Sequence, residues 1–181
     1  MSEEQSSLRA QVLVEVSRVY EHRVMNNVHR SDYVEAMVAV ALANYGWTRM
    51  DPWDGWDCEH ESGVPLEVKQ SAAAQAWKLP KGRKRSPPRF DIAPRTGYER
   101  DGVFVERSGR NADVYVFAWH AGMEETADQR EPATWEFYVI AERDLPAQKS
   151  IGLGPLQRLV SPCSFDELGA AVERVRDGLG S

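Results

Sequence analysis

Long apolar runs, paired cysteines and clustered histidines are all missing from this 181-residue sequence. No stretch approaches the ~20 apolar residues that a membrane-spanning helix needs. The N-terminus, Met1-Ser2-Glu3-Glu4-Gln5, is acidic and polar, unlike a basic then apolar export signal. A cytoplasmic protein with no membrane partner is expected. Cys58 and Cys163 stand far apart, with no second Cys or His at ligand spacing, so buried free thiols are expected in place of a disulfide or a zinc site. His22, His29, His60 and His120 lack the His-x-x-x-His spacing of a helical zinc site. There is no phosphate-cradling Gly-x-x-x-x-Gly-Lys, no Gly-x-Ser-x-Gly elbow and no internal repeat.

What is present reads as an ordinary globular chain. Apolar residues make up 42% and charged residues 28%, which excludes disorder as the default, and the length suits a single compact domain. Within it, residues 1–30 are expected to form an N-terminal helix packing on a main body of 31–181. The net charge of −6 argues against a nucleic-acid partner, because phosphate binding relies on Lys and Arg. The distribution of charge answers part of that objection. Lys78, Lys81, Arg83, Lys84, Arg85, Arg89 and Arg95 face only one acid, Asp91, so this segment is either a guide for a polyanion or a solvated loop.

Periodicity sketches the elements. Leu8, Val12, Val16, Val19 and Val24 predict an amphipathic helix over 6–28 with one buried stripe. A break at 26–30 precedes a second helix, capped by Ser31 or Asp32 and ending near Gly46. Between Tyr33 and Ala43 only Glu35 carries charge, so most sides of that helix should be buried. Glu35 itself either closes a capping box with Asp32 or serves a site. Trp47, Trp53 and Trp56 suggest a packed turn, base stacking being the lesser alternative. Residues 64–70 predict a strand, entered by a hairpin turning at Ser62-Gly63, while 71–77 either extend it or form a short helix. A Pro- and Gly-rich loop follows, then a short strand near Phe90, and residues 95–111 read as either irregular or hairpin-like around Gly102 and Gly109. Val114–Trp119 and Trp135–Ala141 predict core strands, and Phe165–Leu179 a final helix with Ser164 and Glu167 as capping box. The sum is α/β, with a mixed sheet between helices.

The residues that carry chemistry are Asp57 and Glu67-Val68-Lys69. On a strand, the side-chain period of two sets Glu67 and Lys69 on one face and Leu66, Val68 and Gln70 on the other. Two carboxylates can hold a hard divalent cation, and a neighbouring lysine can hold the attacking water and stabilise charge on a phosphoryl group. Asp54 competes with Asp57 for the first position. Asp57 has the better spacing and continues into the hairpin, whereas Asp54-Gly55 reads as a turn.

At these residues the sequence resembles the PD-(D/E)XK nuclease superfamily, in an uncharacterised bacterial branch. Asp57 matches the first acid, Glu67 the second and Lys69 the lysine. Trp56 stands where the superfamily's name has proline. Glu35 resembles the additional helix acid, and Gln75 the glutamine at the edge of the site. Asn111–His120 and Trp135–Ile140 resemble the later core strands, so the resemblance spans about residues 30–175. It implies a restriction endonuclease-like core, a central mixed four- to five-stranded sheet flanked by helices, although the usual mid-core helix is not evident in this sequence. It also implies Mg²⁺ (or Mn²⁺) held by Asp57, Glu67 and the Val68 carbonyl, with Lys69 positioning water, Glu35 holding a metal-bound water and Gln75 orienting the site. The partner implied is nucleic acid, DNA before RNA, met by Lys78, Lys81, Arg83, Lys84, Arg85 and Arg89, and a homodimer where two strands are cut.

Two other readings stay open. The chain could be a non-catalytic nucleic-acid- or partner-binding protein that keeps the fold. Glu67 and Lys69 could also be a surface ion pair on an ordinary sheet, a common and weak arrangement.

Overall fold

The computed structural model describes residues 3–77, 86–100, 102–123 and 127–180. Its centre is built from the strands richest in apolar and β-branched residues. Strand β3 (Pro65–Ala72) runs parallel to β7 (Val114–His120), pairing Leu66 with Val114 through to Ala72 with His120. Strand β8 (Trp135–Ala141) pairs antiparallel with β7. On the other side of β3, β2 (Cys58–His60) and β1 (Trp47–Arg49) add antiparallel strands, giving a five-stranded mixed sheet in the order β1-β2-β3-β7-β8. The expected mixed α/β sheet is present.

Alternation divides the core between the two faces of this sheet. Leu66, Val68, Val116 and Val139 pack with Val34, Val38 and Leu42 of α2 (Asn27–Leu42) and with Leu168 and Val172 of α4 (Phe165–Gly178). Gly169 lets those helices approach closely, since a Cβ there would lie 2.3 Å from Tyr45 Cε2 and 2.9 Å from the Ala41 carbonyl oxygen. On the opposite face Tyr115, Phe117, Tyr138 and Ile140 pack against Phe90 of β4 (Arg89–Asp91), Ile151 of β9 (Ser150–Gly152) and Leu156 of α3 (Leu153–Leu159). Strands β4 and β9 pair with each other.

A parallel pair needs a long crossover, most often a helix. Here the described part of the crossover from β3 to β7 holds no helix. It contains β4 and the hairpin of β5 (Arg95–Arg100) and β6 (Val103–Gly109), which turns where Gly102 adopts φ 73°. That hairpin docks through its inner face: Tyr98 meets Trp56 with ring centroids 5.1 Å apart, and the Arg100 guanidinium lies 5.6 Å from the same indole.

Three helical expectations are corrected. Helix α1 (Glu3–Ser17) buries no stripe: Leu8, Val12 and Val16 are all exposed, because none of the other described elements covers that face. Helix α2 starts earlier than the polar residues 26–30 suggested. Asn26 is its cap, the side chain accepting the His29 N–H at 3.0 Å, so Ser31 and Asp32 sit inside the helix and Asp32-x-x-Glu35 is no capping box. Its burial is also one-sided, with Val34, Met37, Val38 and Leu42 inside and Val40 exposed. By contrast, the capping box of Ser164 and Glu167 on α4 is formed.

Candidate functional site

The site residues meet where the β2–β3 ladder stops. The Pro65 carbonyl accepts from Asp113 and the Ala73 N–H donates to His120, so the odd-numbered backbone groups of β3 serve β7. The even-numbered ones therefore face β2, where the Leu66 carbonyl accepts the Asp57 N–H at 3.0 Å. One step further along, Asp57 Oδ2 accepts the Val68 N–H at 2.6 Å, a carboxylate standing where the next strand carbonyl would be. The N–H and C=O of a strand residue point to one edge. The Val68 carbonyl thus faces the Asp57 side as well.

Glu67 and Lys69 project from the sheet face that carries Tyr115 and Phe117, their partners on β7, opposite to the face of Leu66 and Val68. The Lys69 ammonium donates to Glu67 Oε1, and both side chains are about one-fifth exposed, 21% and 20%. Below them lies an aromatic floor. Tyr115 and Phe117 stack at 5.9 Å, and Phe90 meets Phe117 edge-on at 5.1 Å. The surroundings limit solvent on one side of the ion pair, which strengthens any electrostatic contact made there.

Burial raises the Asp57 carboxyl to about 7, aided by the negative charges of Glu67 and Glu35, with the Val68 N–H and Lys69 opposing. Glu35 reaches this neighbourhood from α2, bonded by Arg49 at 2.9 Å and by the Ser31 hydroxyl at 3.3 Å. Three carboxylates thus act on one another with two cations, Lys69 and Arg49, among them. The donors are hard oxygens and the balance is negative, which fits Mg²⁺ or Mn²⁺. Among the described residues, no three His, Cys, Asp or Glu side chains gather into a ready-made metal cluster. The oxygens that could hold such an ion are those of Asp57 and Glu67, with the Val68 carbonyl.

Next to this pair is a cavity of about 50 Å³, whose walls include Glu67, Lys69, Asp91, Arg95, Asn111 and Tyr115. Arg95 is tied to Asp91 at 2.8 Å. Burial, with Glu67 nearby, pushes the Tyr115 phenol up, so it stays a proton donor. Tyr115 and Asn111 are functional candidates that the chain order hides. Only the parallel register of β3 and β7 sets Tyr115 beside Glu67, and nothing local in the sequence announces that register.

Other expected site residues fall elsewhere. Gln75 lies away from the Glu67–Lys69 cavity. It lines a different cleft with His22, Asn26 and His29, donates to the Ala72 carbonyl at 2.6 Å, and accepts from Arg30 at 3.2 Å. Arg30 is buried, also donates to Gln70 at 2.6 Å, and ties the start of α2 to the end of β3. Asp54 closes its own turn, accepting the Asp51 N–H at 3.1 Å, and takes no part in the pairing at Val68. Of the three clustered tryptophans, Trp47 and Trp56 are core residues while Trp53 is 81% exposed. Both thiols are free, Cys58 buried and Cys163 half-buried. Arg89 is on β4 and donates to Ser150 Oγ at 2.9 Å. Lys78, Lys81, Arg83, Lys84 and Arg85 lie outside the described residues.

No helix among the described residues is long and apolar enough to cross a membrane. Compared with protein-family models and with curated proteins, the sequence matches none.

Proposed function

We propose that this chain is a metal-dependent phosphodiesterase acting on nucleic acid, DNA in the first place, with the strand arrangement of a restriction endonuclease-like core. The observation that carries this reading is the junction of β2 and β3. Asp57 and the Val68 carbonyl share one edge, Glu67 and Lys69 stand beside them, and the local charge balance is negative. A divalent cation bound there supplies positive charge to the phosphoryl oxygens and lowers the pKa of a coordinated water.

The chain's own residues do the rest. Asp57 and Glu67 would hold the ion, together with the Val68 carbonyl. Lys69, held by Glu67, offers the remaining protons of its ammonium to the attacking water and to charge building on the phosphoryl group. Glu35, on α2, would accept a hydrogen bond from water at the ion. The aromatic floor excludes bulk solvent from one flank of the reacting group. Arg95, on the wall of the adjoining cavity, would meet a flanking phosphate.

The absence of a three-residue metal cluster among the described residues favours a second reading, a nucleic-acid- or partner-binding protein without catalysis. Incubation of the purified chain with supercoiled plasmid separates the two. Cleavage that needs Mg²⁺ or Mn²⁺, stops with chelator and is lost in Lys69→Ala and Glu67→Ala supports the phosphodiesterase. Retained cleavage in either variant, or calorimetry showing no divalent-ion binding at all, overturns it.

A further inference from the structure

Asn111 is 6% exposed, lines the cavity beside Glu67 and Lys69, and its Oδ1 is buried without a hydrogen-bond partner. Buried side-chain oxygens nearly always have partners, and an orphan in a native structure points to something that completes it. Among the described residues no partner holds this amide in one orientation, so a half-turn exchanging Oδ1 and Nδ2 is open to it, and the bound group decides which is presented. Tyr115 shares the same cavity and stands in register with Glu67. Among the described residues its hydroxyl makes no hydrogen bond.

The cations of the cavity are otherwise engaged. Lys69 is paired with Glu67 and Arg95 with Asp91. Arg110 is held by Glu142 at 3.1 Å and by the Ile92 carbonyl at 2.8 Å. Besides these ion-paired cations, the polar groups of the walls without a partner among the described residues are neutral, a phenol and an amide. Size narrows the occupant further. At about 50 Å³ the cavity falls well below the roughly 300–1,000 Å³ of pockets that enclose a drug-sized ligand. Its size suits a group as small as a phosphoryl.

We propose that Tyr115 and Asn111 form an oxygen-binding wall for the phosphoryl group, the Tyr115 hydroxyl and the Asn111 amide donating to its non-bridging oxygens across from Lys69. The inference rests on the phosphodiesterase reading and adds that two neutral donors grip the cleaved phosphate.

Two measurements on wild type, Tyr115→Phe and Asn111→Leu test the wall: plasmid cleavage kinetics, and calorimetric binding of inorganic phosphate in Mg²⁺ buffer. Tyr115→Phe removes only the hydroxyl, and Asn111→Leu replaces an unpartnered amide with an isosteric apolar group, so both variants should melt at or above the wild-type temperature. Each should lower kcat by about a hundredfold, as loss of one transition-state donor does, with KM nearly unchanged, and should weaken phosphate binding. Wild-type cleavage with both variants equally fast and equally avid for phosphate overturns the wall and leaves the phosphodiesterase standing. A wild type that binds phosphate through Tyr115 yet never cleaves keeps the wall and removes the phosphodiesterase. A wild type that neither binds phosphate nor cleaves overturns both.

Discussion

The Asp57 carboxylate accepts the Val68 backbone N–H at 2.6 Å, so the first acid of the candidate site is also the last link of the β2–β3 ladder. Under the proposed function one residue serves folding and chemistry together. Its protonation state should register in both.

The free carboxyl of Asp57 has an ordinary value of 3.8 and is raised to about 7 by burial, Glu67 and Glu35. Between those values the folded chain holds a proton that the unfolded chain releases, so this group's stabilising contribution is full below 3.8 and is lost as pH rises through about 7. The metal-free protein should accordingly melt lower at pH 8 than at pH 5, and Asp57→Asn should flatten that slope. Divalent-ion affinity has the opposite sense. It should rise with pH until about 7 and then level off, because the ion displaces the proton. Calorimetric titrations at pH 5, 6, 7 and 8 check this, and a pH-independent affinity contradicts it.

Lys69→Met should reduce cleavage by about a hundredfold or more. Lys69→Arg keeps the charge beside Glu67 but replaces a compact ammonium with a planar fork, so it should recover stability against urea without recovering rate. Equal rates for Lys69→Arg and wild type would assign the lysine to charge balance alone.

Arg30 is 2% exposed, and its partners are neutral: Gln70, Gln75, Asn27 and the Met25 carbonyl. Arg30→Ala leaves those acceptors unmet in a buried place and should cost about 3 kcal/mol. Arg30→Met fills the space of the stem and should cost less. Urea unfolding of the two variants gives the comparison. Since Gln75 is fixed by Arg30 in a separate cleft, the cleavage rate per folded molecule should change little.

Gly169→Ala should destabilise the protein even though alanine is the better helix former by roughly 1 kcal/mol, because the new Cβ meets Tyr45 and the Ala41 carbonyl. Gly178→Ala in the last turn of the same helix meets nothing within 4 Å and should stabilise it slightly. Thermal melts of the pair should move in opposite directions.

How far the sequence reached depended on whether the deciding contact was local. β3, β7, β8 and α4 were legible: their residues repeat with a period of two, run apolar without interruption, or carry Ser164 and Glu167 at capping distance. Asp57, Glu67 and Lys69 were legible as a set because their spacing implies a strand on each side of a turn. Helix α1 misled, since Leu8, Val12 and Val16 fall at helical spacing whether or not a neighbour arrives to cover them. Asp32 and Glu35 misled in a similar way, for Asn26 had already capped the helix. The β5–β6 hairpin is partly exposed and was marked only by Gly102 and Gly109, with an irregular stretch as the alternative, while β9 is too short to show an apolar pattern. Gln75 and Asn111 exchanged significance for a third reason. Arg30 is buried against Gln75, and β7 carries Tyr115 to Glu67, both by contacts between distant segments.

The parallel pairing of β3 with β7 also bears on when the motif becomes a site. Leu66 meets Val114, a separation of 114 − 66 = 48 residues, and the Trp56 next to Asp57 is braced by Tyr98 and Arg100. A ribosome that has just delivered Asp57, Glu67 and Lys69 has delivered the reactive atoms without their floor or their brace. Contacts so far apart along the chain form late. The nascent protein should therefore carry Asp57, Glu67 and Lys69 well before β7 can set Tyr115 beside them.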